Sequence, residues 1–210
     1  DMQAYLLART KERRGAPRDD IISVLANGEV EGESLTDQEL VMFLVQLLVA
    51  GNETTRHALS GGVVALAEHS DQWQRLRADR ALVEPAVEEA LRWTTPVISF
   101  MRTATRPTEL SGIAIDAGDP VLMLYASANR DEAAFGANAH EFDVARDPNP
   151  QVAFGFGHHF CLGAALARLE LRAMFDCLLD RFTALEPAGE VERSTSFVIA
   201  GIKQAPVVFA

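Results

Sequence analysis

Apolar residues recur at helical spacing through the first part of the chain and at strand spacing only later. The run from Met2 to Arg14 has the helical period. Gly15-Ala16-Pro17-Arg18-Asp19-Asp20 reads as a turn into a short helix, Ile21 to Ala26, and Asn27 to Glu33 as a polar loop. The longest helix opens at Leu35-Thr36-Asp37-Gln38-Glu39-Leu40. Thr36 as N-cap and Glu39 three residues on form a capping box, and Leu35 with Leu40 a hydrophobic staple. From Leu40 to Ala50 this helix is apolar around most of its girth, which predicts a course through the centre of the protein, continuing to about Glu68. Further helices are expected from Ser70 to Ala78 and from Pro85 to Trp93, with Pro85 at the first helical position and the Pro96 region as the stop.

Between Val97 and Ala126 the period changes to that of strands, with Asp116-Ala117-Gly118-Asp119 as a turn between Ile113–Ile115 and Val121–Tyr125. An irregular stretch, Asn129 to Phe156, leads to a cysteine-bearing loop and a helix reaching about Phe182. In the tail, Phe197 to Ile199, Gly201 and Val207 to Phe209 read as a small hairpin. The fold class expected is mainly α with minor β, as one partial domain over residues 1–210.

Composition narrows the function classes. In 210 residues, 48% hydrophobic, there is enough apolar material for one sizeable core. The net charge of −11 argues against nucleic acid or an anionic membrane surface as partner. Two cysteines make no disulfide framework, and Cys177 is expected on the apolar side of its helix; a reducing cytoplasm follows. Leu40 to Ala50, broken by Gln46, is too short for a membrane span, which takes roughly 20 residues. The chain opens at Asp1 inside a helical pattern, which predicts a fragment, a processed product or part of a longer chain.

Candidate chemistry gathers at Phe154-Gly155-Phe156-Gly157-His158-His159-Phe160-Cys161-Leu162-Gly163. A thiolate needs positive potential and hydrogen-bond donors, and a helix start supplies both. The glycines remove side-chain bulk, so a flat ligand can approach the backbone. A lone cysteine so held can be the axial ligand of a haem iron; the other reading is a core cysteine at a helix start. His158, His159 and Cys161 lack the second ligand pair that zinc requires. A further group lies within the longest helix, Ala50-Gly51-Asn52-Glu53-Thr54-Thr55. A mid-helix glycine costs about 1 kcal/mol relative to alanine, and the threonines and the acid add to that. Either a ligand sits against Gly51, with Thr54 as a hydrogen-bond partner and Glu53 as a proton relay, or the helix is merely kinked.

The cysteine loop resembles the haem-binding loop of the cytochrome P-450 family, Phe-x-x-Gly-x-x-x-Cys-x-Gly, at every fixed position. The resemblance implies that Cys161 ligates the iron of haem b and that Phe154 packs near the sulfur. It puts His159 toward a haem propionate, with Gly155 and Gly163 leaving room for the ring. Ala50-Gly51-x-Glu53-Thr54 is similar to the family's oxygen-activation motif, which implies that Thr54 and Glu53 handle O2 and its protons. Glu89-x-x-Arg92 and Phe142-Asp143-x-x-Arg146 resemble two more family motifs, implying a buried triad of Glu89, Arg92 and Arg146 that fixes the cysteine loop. Breaking such a network costs roughly 3–5 kcal/mol. Arg102 falls where the family sets an arginine against a propionate.

The motif order matches the family from end to end, over the C-terminal half of its fold. The implied function is a haem-thiolate monooxygenase that inserts one oxygen atom of O2 into a small apolar substrate. Electrons would come from a ferredoxin-type partner near the Cys161 face, to which Arg168 and Arg172 can contribute. Leu47, Ala50, Gly51, Val97, Ile98, Ser99, Phe197 and Val198 are the candidate pocket walls, mostly apolar. Trp93 to Ala104 most resembles relatives that oxidise sterols, branched lipids or terpenes. The rival readings are a peroxide-using haem-thiolate hydroxylase, which the Glu53-Thr54 pair disfavours, and a haem-free fragment without catalytic activity.

Overall fold

A computed structural model describes residues 1–210, which fall into two compact units, residues 1–53 and 54–210. The units share one continuous helix, α3 (Asp37–Glu68).

In the first unit, α1 (Met2–Gly15) packs on α2 (Ile21–Asn27). Asp20 caps α2 by accepting the Ser23 N–H at 2.8 Å and also receives Arg13 Nε at 2.5 Å. Arg13 foremost, then the Ser23 amide, hold the Asp20 carboxyl at about 2. Residues Glu29–Val30 (β1) and Glu33–Ser34 (β2) pair in a tight hairpin where a loop was expected. Glu31 and Gly32, at φ +55° and +84°, take the two left-handed positions of that turn, the second at no cost for glycine. The capping box at Thr36 and Glu39 is formed in both directions: the Glu39 amide donates to Thr36 Oγ1 at 3.3 Å, and the Thr36 amide to Glu39 Oε2 at 2.9 Å. Leu35 packs against a cluster of Leu6, Ala26, Leu40, Val41 and Leu44.

The expectation that α3 is enclosed from Leu40 to Ala50 is not met. Leu40, Val41 and Leu44 are buried, whereas Met42, Phe43, Leu48 and Val49 are exposed. Only the i, i+1, i+4 stripe meets the core of its unit.

The second unit is built on the C-terminal half of α3, with α4 (Ser70–Ala78), α5 (Val83–Thr94) and α8 (Ala164–Arg181) around Leu66, Trp73, Leu76, Val87, Leu171 and Phe175. Close helix approach depends on two glycines of α3. A Cβ on Gly61 would lie 2.5 Å from the Thr94 methyl, and one on Gly62 3.0 Å from the Phe175 ring and 3.2 Å from the Ala90 methyl. Pro85 stands at the third residue of α5 rather than the first, because a 3-10 turn, Arg80–Leu82, leads in; the first turn has no amide partner to lose there.

Several local expectations are corrected. Cys177 is exposed. The buried stripe of α8 runs Leu171, Phe175, Leu179, and Cys177 lies two residues from that register, on the opposite side. The strands form separate two-stranded ladders: β3 (Ser99–Thr103) with β6 (Pro120–Leu124), and β4 (Thr108–Leu110) with β5 (Ile113–Ile115). The turn expected at Asp116–Asp119 is present, closed by the Asp119 amide on the Asp116 carbonyl at 3.1 Å, and it links the two ladders. The tail is likewise divided. β10 (Val207–Phe209) pairs with β7 (Leu185–Pro187), β9 (Ile202–Gln204) with β8 (Glu192–Arg193), and Ile199 bridges to Val97. Tyr125, expected in the last strand, instead opens a short helix, α6 (Tyr125–Ala128), and α7 (Glu132–Phe135) interrupts the irregular stretch before the cysteine loop.

Candidate functional site

Glu89 and Arg92 lie on one face of α5, and the fold brings Arg146 to them. Glu89 accepts from Arg92 Nε and Nη2, each at 2.7 Å, and from Arg146 Nε at 3.1 Å. Glu89 and Arg92 are wholly buried, yet every charge has partners. Glu89 also receives the Asp143 amide at 2.9 Å and Asn149 Nδ2 at 3.1 Å. Arg92 Nη1 donates to the carbonyls of Asn129 and Ala139 at 2.7 Å. Asn129 Oδ1 in turn accepts the Val152 amide at 2.8 Å, which ties the network to the approach of the cysteine loop. Arg130 stacks 4.2 Å above Trp93 and donates to the carbonyls of Arg92 and Trp93. Burial, then the neighbouring Arg92 charge, pulls its pKa down to about 10.

The loop residues from Phe156 to Gly163 are exposed, Cys161 among them. The Cys161 amide donates to the Phe154 carbonyl at 3.0 Å, and the Cys161 carbonyl accepts the Ala164 amide at 3.3 Å. The sulfur thus stands just before the first turn of α8, not inside it. Gly155 and Gly157 have φ of +67° and +69°, a region that other residues enter only under strain. Tyr125 Oη lies 3.5 Å from where a Gly155 Cβ would be, and a Cβ on Gly163 would sit 4.0 Å from Cys161 Sγ. Phe156, Phe160 and Leu162, apolar neighbours of Cys161 along the loop, are exposed as well. His159 is exposed beside it.

A haem group fits this donor set: one free thiol, bare glycine backbone, exposed apolar neighbours and basic side chains for its carboxylates. Arg102 on β3 is exposed. It donates to the Met101 carbonyl at 3.0 Å and is available to an incoming carboxylate. On the same strand the Phe100 ring meets Tyr125 edge-on at 6.1 Å.

The two apolar segments predicted as pocket walls are joined. The Ile98 amide donates to the Val198 carbonyl at 2.7 Å, Ser99 Oγ to the Phe197 carbonyl at 2.7 Å, and Val97 bridges Ile199. Phe197 is 79% exposed, presenting its ring to whatever occupies that space. On α3, Leu47, Ala50, Gly51 and Glu53 belong to the first unit, and Thr54 opens the second. Glu53 and Thr54 are half-buried, and a Cβ on Gly51 would meet no atom within 4 Å.

Sequence reasoning missed a second ionic cluster. Glu88 accepts from Arg168 Nε at 2.6 Å and Nη2 at 2.9 Å, and from Gln151 at 3.0 Å. Arg172 likewise pairs with Glu84 at 2.7 Å. Two bases read as a partner-facing charge are thus matched by acids of α5. The signal available was the doubled acid Glu88-Glu89, of which only the second was used.

The sequence model of the Cytochrome P450 family matches residues 2–207. The chain belongs to that family. Among curated relatives, a steroid C26-monooxygenase of Mycobacterium tuberculosis is 47% identical over 209 residues, covering 98% of this chain and 56% of the relative. One from Rhodococcus jostii is 42% identical over 208 residues, covering 99% and 44%. The crystal structure of CYP109E1 from Bacillus megaterium in complex with testosterone has a TM-score of 0.92 at 37% identity, covering 99% of this chain and 58% of that one. The chain spans about half the length of the curated P450 relatives it matches. No helix in it is long and apolar enough to cross a membrane.

Proposed function

We propose that this chain carries the haem-thiolate centre of a P450 monooxygenase, in which the Cys161 thiolate would hold the iron of haem b. The observation that carries the reading is an exposed cysteine on a glycine-opened loop, flanked along the chain by exposed apolar residues, with its amide held by the Phe154 carbonyl at 3.0 Å. Arg102 and His159 would bind the haem carboxylates, and Gly155 and Gly163 would leave room for the ring. A thiolate-ligated haem supplies electron density that favours O–O cleavage. Thr54 would hold O2 through Oγ1, and the Glu53 carboxylate would deliver protons. One oxygen atom would enter a C–H bond of the substrate and the other would leave as water, with electrons from a ferredoxin-type donor.

Val97, Ile98, Phe197 and Val198 would wall an apolar pocket. The relatives named for steroid oxidation support a sterol-like substrate over a branched lipid or terpene. Free thiols at Cys161 and Cys177 suit a reducing cytoplasm.

The test is an absorption spectrum of the purified, haem-reconstituted chain, reduced and exposed to carbon monoxide, for the chain as it stands and for Cys161→Ala. A strongly red-shifted Soret band that Cys161→Ala abolishes supports the reading. Absence of any haem band in the unaltered chain overturns it in favour of a haem-free fragment.

A further inference from the structure

We propose that Glu88 and Arg168 form a positioning pair for the cysteine loop, fixing Phe154 under Cys161 and setting the charge felt at the sulfur. The proposal rests on the haem-thiolate reading for its electrostatic half and on geometry alone for its positioning half.

Two routes run from Glu88 to the loop. In the first, Arg168 grips the carboxylate with a parallel pair of bonds, 2.6 and 2.9 Å, and its guanidinium carbon lies 4.5 Å from the centre of the Phe154 ring. The carbonyl of that same Phe154 receives the Cys161 amide at 3.0 Å. In the second, Gln151 Nε2 donates to Glu88 Oε2 at 3.0 Å, while its Oε1 accepts the Ala153 amide at 2.7 Å. Both routes end on the residues entering the loop, and both begin at one carboxylate of α5.

A planar guanidinium suits this place. It bonds a carboxylate at two points and stacks on an aromatic face at once, which an ammonium cannot do. The pair is separate from the buried triad, since Glu88 and Glu89 point about 100° apart on their helix. It is also partly open to water, with Arg168 and Glu88 side chains 39% and 27% exposed, so salt can reach it. The Glu88 hydrogen bonds foremost hold the Arg168 guanidinium pKa above its ordinary value. The bland alternative is a helix-surface ion pair that touches nothing further.

Charge-removing variants of similar shape separate these. In Glu88→Gln and Arg168→Gln, both without haem, amide exchange at Ala153 and Cys161 should quicken roughly fivefold, the scale of a well-formed exposed pair. Amides in the middle of α8 should keep their rates. Unchanged rates at Ala153 and Cys161 in both variants overturn the positioning role.

In the haem-loaded chain the two variants should move the iron reduction potential in opposite directions. Losing the Glu88 negative charge raises it, because the reduced centre carries the extra electron; losing the Arg168 positive charge lowers it. A purely structural defect would move both the same way, so equal-signed or absent shifts overturn the electrostatic role. If the unaltered chain takes up no haem, the haem reading fails by itself, and the exchange rates still decide the pair.

Discussion

Arg92 closes on Glu89 with two bonds of 2.7 Å inside a core that leaves neither side chain any exposed surface. A helical i, i+3 pair on a surface contributes little. Here the same spacing is enclosed, and each remaining donor of Arg92 finds a backbone carbonyl. Removing one member strands a charge that water cannot reach. Glu89→Gln and Arg146→Ala should each cost about 3–5 kcal/mol in urea unfolding. Arg172→Ala, which breaks an exposed pair with Glu84, should cost under about 0.5 kcal/mol. Equal effects would show that the triad does not hold the fold together.

Three glycines of α3 separate packing from ligand room. Gly61→Ala and Gly62→Ala push a methyl into Thr94 and into Phe175, and should destabilise by about 1–3 kcal/mol. Gly51→Ala meets nothing and removes a poor helix former, so stability should hold or rise by up to about 1 kcal/mol. If a ligand lies against Gly51, that same variant should bind haem or apolar ligand more weakly, read by spectral titration. A Gly51 variant unchanged in binding would leave the glycine without a functional reason.

Local signals were legible in the sequence. The Thr36–Glu39 box, the turn at Gly15–Asp20 into α2 and the helix after the cysteine loop each follow from chemistry within a few residues. So was the spacing that brings Arg92 and Arg146 to Glu89. Partners chosen across long separations were not. Nothing near Val121 says that it pairs with Arg102 and not with Ile115. Cys177 looked apolar because its neighbours are, yet burial in α8 follows the 171–175–179 register and not average hydropathy. Glu88 was passed over because an acid beside a more recognisable acid carries no label; only its distance to Arg168 shows what it does.

Arg102 and His159 offer a test of function free of stability effects. Both are exposed, so replacing either with alanine should change unfolding by under about 0.5 kcal/mol. If they hold haem carboxylates, the same variants should lose haem faster to an excess of a haem-scavenging globin, and Arg102→Lys should recover only part of the loss. Haem release at the unaltered rate in both would remove them from the cofactor site.

The Glu88 pair also predicts how the loop responds to acid. Burial alone pushes the Glu88 carboxyl up, but the Arg168 and Gln151 hydrogen bonds and the Arg168 charge outweigh it and hold the group below its ordinary value. A depressed carboxylate stabilises the folded state fully above its unfolded pKa, and that contribution fades as pH falls through the lowered folded value. Exchange at the Cys161 amide, corrected for its intrinsic pH dependence, should therefore stay slow down to the ordinary glutamate range and quicken below it. Glu88→Gln should start at the quicker rate and show no such step, and added salt should move the unaltered chain partway toward it because the pair is partly exposed. A step that survives in Glu88→Gln would assign the acid response to another carboxylate.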